Sequence, residues 1–207
     1  RWAPREDINQ ELIHGEIDRI AKNSAAPTCE NTVVAKERSG LLLTRVTTVF
    51  GILSASNTNP QIEGLQTEMS PKLSAHSDAI YLDPALYGRV RTLYEQRASL
   101  KLDPESLRLL ERYNTNFARA GARLSDADKT RLKALNEQIS KLTTEFRQTV
   151  LKGVNAAAVV VDSRAELDGL TDEQIAVAAE AAKERKLEGK WVIALLNTTT
   201  QPALAQL

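Results

Sequence analysis

The sequence is poor in the side chains that most often carry catalysis. Its 207 residues include two histidines, one cysteine and one methionine, and aromatic residues make up only 4% of the chain. A single cysteine excludes an internal disulfide framework and is compatible with a reducing compartment. The two histidines, His14 and His76, lie in separate segments. They therefore exclude the H-E-x-x-H metal motif, which needs two histidine ligands four residues apart on one helix.

Neither sign of charge is in excess. Lysine plus arginine and aspartate plus glutamate both number 27, so the formal net charge is zero. Electrostatics therefore gives no reason to expect nucleic acid or an anionic membrane surface as a partner. No uninterrupted apolar run is longer than that at residues 156–161, which is far short of the about 20 residues that a membrane span needs. We expect neither nucleic acid nor a membrane as a partner.

The polar residues that could carry chemistry have plainer explanations. His14 lies on an amphipathic segment and is expected at the surface, whereas His76 falls in an apolar row and is expected to be packed. Cys29 follows a helix start, which could lower its pKa, but no histidine neighbours it in the sequence. Glu137 and Lys141 are spaced as a surface ion pair. No glycine-rich phosphate loop or nucleophile elbow occurs, so we predict no catalytic, cofactor-binding or metal-binding residue in this chain.

Two long helices dominate the pattern between residues 103 and 153. Asp103 and Pro104 form a helix start, with a carboxylate at the N-cap and proline in the first turn. The second helix follows Ser125 and is predicted to end at Gly153. Its apolar residues recur at spacings of three and four: Leu132, Leu135, Ile139, Leu142, Phe146 and Val150. We predict that this row is buried inside a helical bundle, with an intermolecular coiled coil as the alternative.

Shorter elements surround this pair. Predicted helices cover residues 5–22, 28–53 with an interruption at Gly40, 60–80 with a kink near Pro71, and 84–94. Residues 157–161 and 191–196 are β-branched candidate strands, which could pair across an alanine-rich helix that begins at a capping box, Thr171 to Gln174.

The predicted fold class is therefore mainly α. A helical bundle over residues 1–153 is built on a long helix hairpin, and a small β-α-β extension covers residues 154–207 with a two-stranded β element. Residues 201–207 look like a helix that stops in mid-pattern, and the chain begins at Arg1 without a methionine. We expect a fragment of a larger protein.

Several short stretches, read together and in order, resemble one family. They are Pro27–Thr32 (Pro-Thr-Cys-Glu-Asn-Thr), Glu37–Gly40, Leu42–Val46, Val49–Phe50, Thr58–Pro60, Ile80–Leu82, Phe117–Ala122, Leu167–Leu170, Lys190–Ile193 and Leu195–Thr199. The set resembles the N-terminal region of the thimet oligopeptidase-like zinc metallopeptidases, in particular the bacterial peptidyl-dipeptidases of that family. Cys29 departs from the pattern, since the family usually has an aromatic residue there.

The resemblance implies a parent enzyme that uses zinc to remove C-terminal dipeptides from short peptides. The motif that binds zinc lies far downstream in the family, so no catalytic or zinc residue can be carried over to this chain. The region would form part of the wall that restricts access to the substrate channel, and its partner would be the missing C-terminal catalytic region. Alone it should bind no zinc, be inactive and expose an apolar patch. We expect a cytoplasmic parent, or a periplasmic one if a leader was removed.

Two other functions stay open at this stage. One is an oligopeptidase of the same family that cleaves peptides internally. The other is a free-standing helical module that binds a protein partner through its long helices.

Overall fold

A computed structural model of the chain describes residues 15–194. His14, the end of the second predicted strand and the unfinished helix at residues 201–207 lie outside these residues. The described part is mainly helical and carries a small two-stranded antiparallel sheet near its C-terminal end, which confirms the predicted fold class. The chain separates into two compact units, Arg1–Thr144 and Glu145–Leu207. The predicted domain boundary at residue 153 stays a prediction.

The first unit consists of helices whose starts are set by local hydrogen bonds. Its elements are α1 (residues 15–21), a π-helical turn (Cys29–Val34), α2 (Ala35–Arg38), α3 (Leu41–Ser56), α4 (Pro60–Tyr81), α5 (Pro84–Glu95), α6 (Pro104–Ala120) and the first part of α7 (Asp126–Ala156), which continues into the second unit. The side chains of Asn59, Asp83 and Asp103 each accept backbone N–H bonds at the helix that follows, with a proline at the next position. The predicted N-caps are confirmed, because capping depends only on residues two or three positions away.

The core of the first unit is built around α5 and α6. Leu86, Val90 and Leu93 of α5 and Leu110 and Phe117 of α6 are almost fully buried. Other members of the same cluster come from α1, the π-helical turn and the end of α4: Ile17, Ile20, Val33 and Ile80. Tertiary burial of this kind, at roughly 1.5–3 kcal/mol per large side chain as an upper bound, outweighs helix propensity.

α3 is apolar on its exposed side. The five large residues on that side, each about half exposed, are Leu41, Leu42, Val49, Ile52 and Leu53. By length and composition, Cys29–Ser56 is the one membrane-span candidate among the described residues, with a mean hydropathy of 1.3. Ser39 is extended and Gly40 is left-handed at φ 71°, so the helix is broken there as predicted. α3 alone is about 24 Å long at ~1.5 Å per residue, short of the ~30 Å hydrocarbon core.

The predicted burial of the α7 row is wrong. Leu135, Ile139, Leu142 and Phe146 are 46%, 59%, 63% and 68% exposed, and Leu132 is only half buried. The periodicity correctly places these residues on one face. It does not determine whether that face packs inward, and here the row lies on an exposed side of α7. The helix also continues to Ala156, so Gly153 does not end it as predicted.

The second unit, after Thr144, carries the sheet. β1 (Val159–Val161) pairs antiparallel with β2 (Trp191–Ile193), so the predicted pairing is confirmed. Between the strands lie a 3₁₀ turn (Arg164–Leu167) and α8 (Asp172–Glu184), which begins at the predicted Thr171 capping box. The β-branched, continuous run at residues 157–161 also predicts a buried strand, and this part of the prediction is wrong, because Val159 and Val160 are about half exposed. A two-stranded sheet covers only one of its faces.

Candidate functional site

A polar cavity of about 160 Å³ in the described part of the first unit is lined by α2, the end of α4 and α6. Its lining residues are Glu37, Tyr81, Leu109, Arg112, Tyr113 and Asn116. α6 contributes Leu109, Arg112, Tyr113 and Asn116, because spacings of three and four place those positions on one face of a helix. We call this feature the tyrosine cavity.

A carboxylate and a lysine are held next to two tyrosines in this cavity. The Tyr113 hydroxyl donates a short hydrogen bond to the Glu37 carboxylate. The Lys36 ammonium lies 5.6 Å from the ring centroid of Tyr81 and 5.2 Å from that of Tyr113, within the range of cation–π attraction. Tyr81 in turn packs on Phe117, with centroids 5.0 Å apart. The tyrosine rings therefore join the polar cavity to the apolar core.

Burial shifts the pKa values of the two tyrosines and of Lys36. The pKa of Tyr113 is raised well above its ordinary value, first by burial and then by its hydrogen bond to the Glu37 carboxylate. Burial and the same carboxylate raise the pKa of Tyr81, and burial lowers the pKa of Lys36. Both phenols are therefore protonated hydrogen-bond donors at neutral pH. This arrangement can orient water or a small polar molecule, but it holds no activated nucleophile.

A wider cationic groove of about 730 Å³ adjoins the tyrosine cavity along α6 and shares Arg112 and Asn116 with it. Arg108 and Arg119 also line it, with Glu111 as the acidic member. Arg108 and Glu111 form an exposed ion pair at 3.5 Å. Exposed pairs of this kind contribute little, about 0–1 kcal/mol, so the groove is a solvated surface.

The most constrained polar residue is Arg89 on α5. It is 8% exposed and donates hydrogen bonds to the carbonyl oxygens of Asn23 and Ala25 at 2.7 and 3.0 Å. It also donates to Asn31 Oδ1 at 2.8 Å and to Thr32 Oγ1 at 3.3 Å. A guanidinium suits this role because its donors form a planar fork. Arg89 therefore fixes the loop between α1 and the π-helical turn to the core.

Asn31 makes a second set of hydrogen bonds that hold this loop. Its Oδ1 also accepts from the Thr28 backbone N–H at 2.8 Å and from the Thr32 hydroxyl at 2.9 Å. Its Nδ2 donates to the Ala26 carbonyl at 3.0 Å. Thr28 Oγ1 completes a capping box by accepting from the Asn31 N–H at 3.1 Å. The Pro-Thr-Cys-Glu-Asn-Thr stretch thus has a structural role, because its hydrogen bonds hold the loop in place. No catalytic role is needed to explain these residues.

The residues singled out in the sequence do not come together. His76 is buried on α4, as predicted, and His14 lies outside the described residues. Cys29 is half-buried, and burial raises its pKa, opposite to the lowering that a helix start could cause. Glu137 and Lys141 form the predicted surface ion pair at 2.6 Å.

Zinc does not fit the residues described. Between positions 15 and 194, no three histidine, cysteine, aspartate or glutamate side chains are placed to hold a metal ion. The prediction that this chain carries no metal-binding or catalytic residue was made from the sequence and stays a prediction.

Sequence reasoning missed Arg89 and the tyrosine cavity. Arg89 carried a usable signal, because it lies three residues after Leu86 and four before Leu93, in the same apolar row. A charged residue in a buried row indicates a specific partner. Nothing in the sequence linked Glu37 to Tyr113, since the two are 76 positions apart.

Comparison with known proteins gives a consistent result. No family model matches the chain. The dipeptidyl carboxypeptidase of Escherichia coli strain K12 is 43% identical over 206 residues, and that of Salmonella typhimurium strain LT2 is 46% identical over 207 residues. Each match covers 100% of this chain and 30% of the relative. Organellar oligopeptidase A of Arabidopsis thaliana is 21% identical over 192 residues, covering 88% of this chain and 24% of the relative.

The chain therefore spans less than a third of the length of the curated relatives it matches. The matched part is their N-terminal part. The resemblance found in the sequence is thus confirmed: from end to end, this chain is similar to the N-terminal part of dipeptidyl carboxypeptidases.

Proposed function

We propose that this chain is the non-catalytic N-terminal part of a zinc-dependent peptidase that removes C-terminal dipeptides from short peptides. The single observation that carries the proposal is the 43–46% identity over 206 and 207 residues to two dipeptidyl carboxypeptidases. Identity spread over the whole chain is hard to explain if only a local motif were shared. Zinc and the reacting groups belong, in this proposal, to the catalytic region that the relatives carry beyond the matched part.

The contribution of this chain is structural. Its buried polar groups, Arg89 and Asn31, hold a loop rather than face an open site. The tyrosines of the cavity are protonated donors rather than nucleophiles. Such a unit can form part of the wall of a substrate channel and limit entry to short peptides, and we propose that role. The parent would work in the cytoplasm, or in the periplasm if a leader was removed.

A chimera tests this proposal. The chain is joined to the part of the E. coli relative that follows its matched region, and dipeptide release from short peptides is measured by mass spectrometry. We expect a zinc-containing chimera that releases dipeptides, and an isolated chain that neither holds zinc nor cleaves. A folded, zinc-loaded chimera without dipeptide release would overturn the proposal. So would tight stoichiometric zinc in the isolated chain.

The test of the wall role uses longer substrates. If the chain restricts entry, the chimera releases dipeptides from peptides of about ten residues and leaves a folded protein with an accessible C-terminal tail intact. Equal rates on both would contradict the wall role without affecting the assignment to the peptidase.

The runner-up function is an oligopeptidase that cleaves peptides internally. The match to organellar oligopeptidase A over 88% of the chain supports it, although the 21% identity is half that of the other two relatives. The same chimera cannot decide this, since its catalytic part comes from the E. coli protein. Product masses from the natural full-length polypeptide would decide it, because dipeptides alone support the first function and larger internal fragments the second.

A further inference from the structure

α7 carries an apolar row that faces solvent. The apolar row consists of Leu135, Ile139, Leu142, Phe146 and Val150, which are 46–68% exposed. At about 100° per residue they all fall within an arc of about 80°, and they extend over about 22 Å of helix. We call this row the α7 stripe. Single exposed apolar side chains are ordinary, but a continuous stripe marks an interaction surface.

Two polar residues of α7 outside the stripe are bound to α4. Asn136 Nδ2 donates to Asp78 Oδ1 on α4 at 2.7 Å. Thr144 Oγ1 donates to Ser70 Oγ, also on α4, at 2.8 Å. These contacts fix the rotation of α7 about its axis, so the helix cannot turn its apolar side inward without breaking them. The exposure of Leu135, Ile139 and Leu142 is therefore consistent with the hydrogen bonds that α7 makes within the first unit.

The flanking residues indicate what kind of surface covers the stripe. Lys133, Glu137 and Lys141 lie on α7 away from the stripe and are exposed, and a helix with charges of both signs along one side does not suit the interior of a membrane. The stripe spans fewer than three heptads, which is short for a coiled coil between two copies of this chain. Spacings of three and four suit packing against one other helical surface.

The relatives supply enough polypeptide to provide that surface. The matched region is 30% of each dipeptidyl carboxypeptidase, so more than two thirds of their length lies outside it. On the basis of the proposed function, we propose that the α7 stripe docks onto an apolar helical surface of the catalytic region that follows it in the same polypeptide. In this proposal the stripe forms the interface between the non-catalytic part and the catalytic part.

Cysteine labelling gives a direct test, because the chain contains one cysteine and it is half-buried. Ile139→Cys places a thiol in the stripe, where the native side chain is 59% exposed. Glu137→Cys is the matched control, since the Glu137 side chain is 54% exposed but lies about 200° around the helix. Each variant is labelled with maleimide in the isolated chain and in the active chimera, and mass spectrometry measures the rate at the introduced thiol.

We expect both thiols to react quickly in the isolated chain, and Ile139→Cys to react at least 30-fold more slowly in the chimera while Glu137→Cys is unchanged. Equal rates in an active chimera would overturn the docking proposal and leave the proposed function standing. Protection of Ile139→Cys in the isolated chain that grows with concentration would assign the stripe to a second copy, which also overturns it. If the chimera does not fold, the same pair of cysteines at the aligned positions of the E. coli relative gives the same readout.

Discussion

Replacing Arg89 by methionine should destabilise the first unit by about 2–4 kcal/mol. Methionine keeps an unbranched apolar stem in the α5 row and removes all the guanidinium donors. The carbonyl oxygens of Asn23 and Ala25, which are bound to Arg89 at 2.7 and 3.0 Å, then lose those donors. A buried acceptor left unsatisfied costs about 1–3 kcal/mol.

Two terms keep the estimate below the sum of all lost hydrogen bonds. Asn31 Oδ1 retains the donors from the Thr28 N–H and the Thr32 hydroxyl, so its loss is small. Removing a buried charge also relieves its desolvation penalty. What remains is mainly the two loop carbonyls, and water can partly reach them because these bonds are only partly buried.

Urea unfolding measures this effect, with Arg91→Met as the matched control. Arg91 is on the same helix, but its side chain is 60% exposed and pairs only with Glu95 at 3.1 Å. That substitution should change the free energy of unfolding by less than about 0.5 kcal/mol. With an m-value of about 2 kcal/mol/M, Arg89→Met should lower the midpoint by about 1–2 M.

Two compact units need separate probes, because a single transition cannot be assumed. Hydrogen exchange of peptides from residues 20–35 reports the loop that Arg89 holds, whereas Trp191 fluorescence, measured with Trp2 replaced by phenylalanine, reports the second unit. We expect Arg89→Met to increase hydrogen exchange in residues 20–35 and to leave the unfolding transition seen by Trp191 fluorescence unchanged. If Arg89→Met and Arg91→Met gave the same midpoint and the same exchange in the loop, Arg89 would not be an anchor.

Three further predictions concern single residues of the first unit and of α7. Tyr113→Phe should lower stability by about 1–2 kcal/mol near pH 8, because the Glu37 carboxylate loses its donor. The folded-state pKa of Tyr113 is raised, so the contribution of its hydroxyl to stability is present below the unfolded-state pKa of about 10 and falls above it. The urea midpoints of the unmodified protein and of Tyr113→Phe should therefore converge toward pH 10.5. A constant difference between the two midpoints would be inconsistent with this. Gly121→Ala should destabilise by about 1–2 kcal/mol, because Gly121 has φ 101° and an added Cβ would lie 2.7 Å from Leu132 Cδ2. Gly153→Ala, inside α7 with open space around the added Cβ, should stabilise the protein by up to about 1 kcal/mol. Thermal melting measures both glycine variants, and a shift of the melting temperature in the same direction for both would contradict these predictions. Cys29 should react with a disulfide reagent at pH 7.5 several-fold more slowly than free cysteine, since burial raises its pKa, and a faster reaction would contradict it.

Helix starts could be predicted because their causes are local. Asn59, Asp83 and Asp103 each accept hydrogen bonds from residues two or three positions ahead, and a proline follows each one. The Ser39–Gly40 break was predictable for the same reason, since glycine tolerates the left-handed backbone there at φ 71°. The start of the Thr171 helix is likewise set within four residues.

Packing direction was not predictable. The row from Leu132 to Val150 was correctly assigned to one face of a helix, yet the helix binds α4 through Asn136 and Thr144 instead. Periodicity gives the angular relation among side chains and contains nothing about what lies opposite them. A row of hydrophobic residues is buried only where another apolar surface is present to cover it.

The long-range polar contacts were also beyond sequence reasoning. Arg89 meets partners 57–66 positions away, and Glu37 meets Tyr113, which is 76 positions away. No local pattern specifies such pairs, because they result from how several helices cross. The function was predictable only by resemblance, as the chain itself carries no reactive constellation that spacing could reveal.

The hydrogen bonds of Arg89 also constrain the length of the loop between α1 and the π-helical turn. Surface loops usually accept insertions, since lengthening them adds little closure entropy. Here Arg89 Nη1 donates to two carbonyls separated by one residue, at Asn23 and Ala25, while Asn31 Nδ2 donates to the Ala26 carbonyl. An added residue between positions 23 and 26 would slide one carbonyl out of reach, so natural variants of this segment should differ by substitution and keep its length.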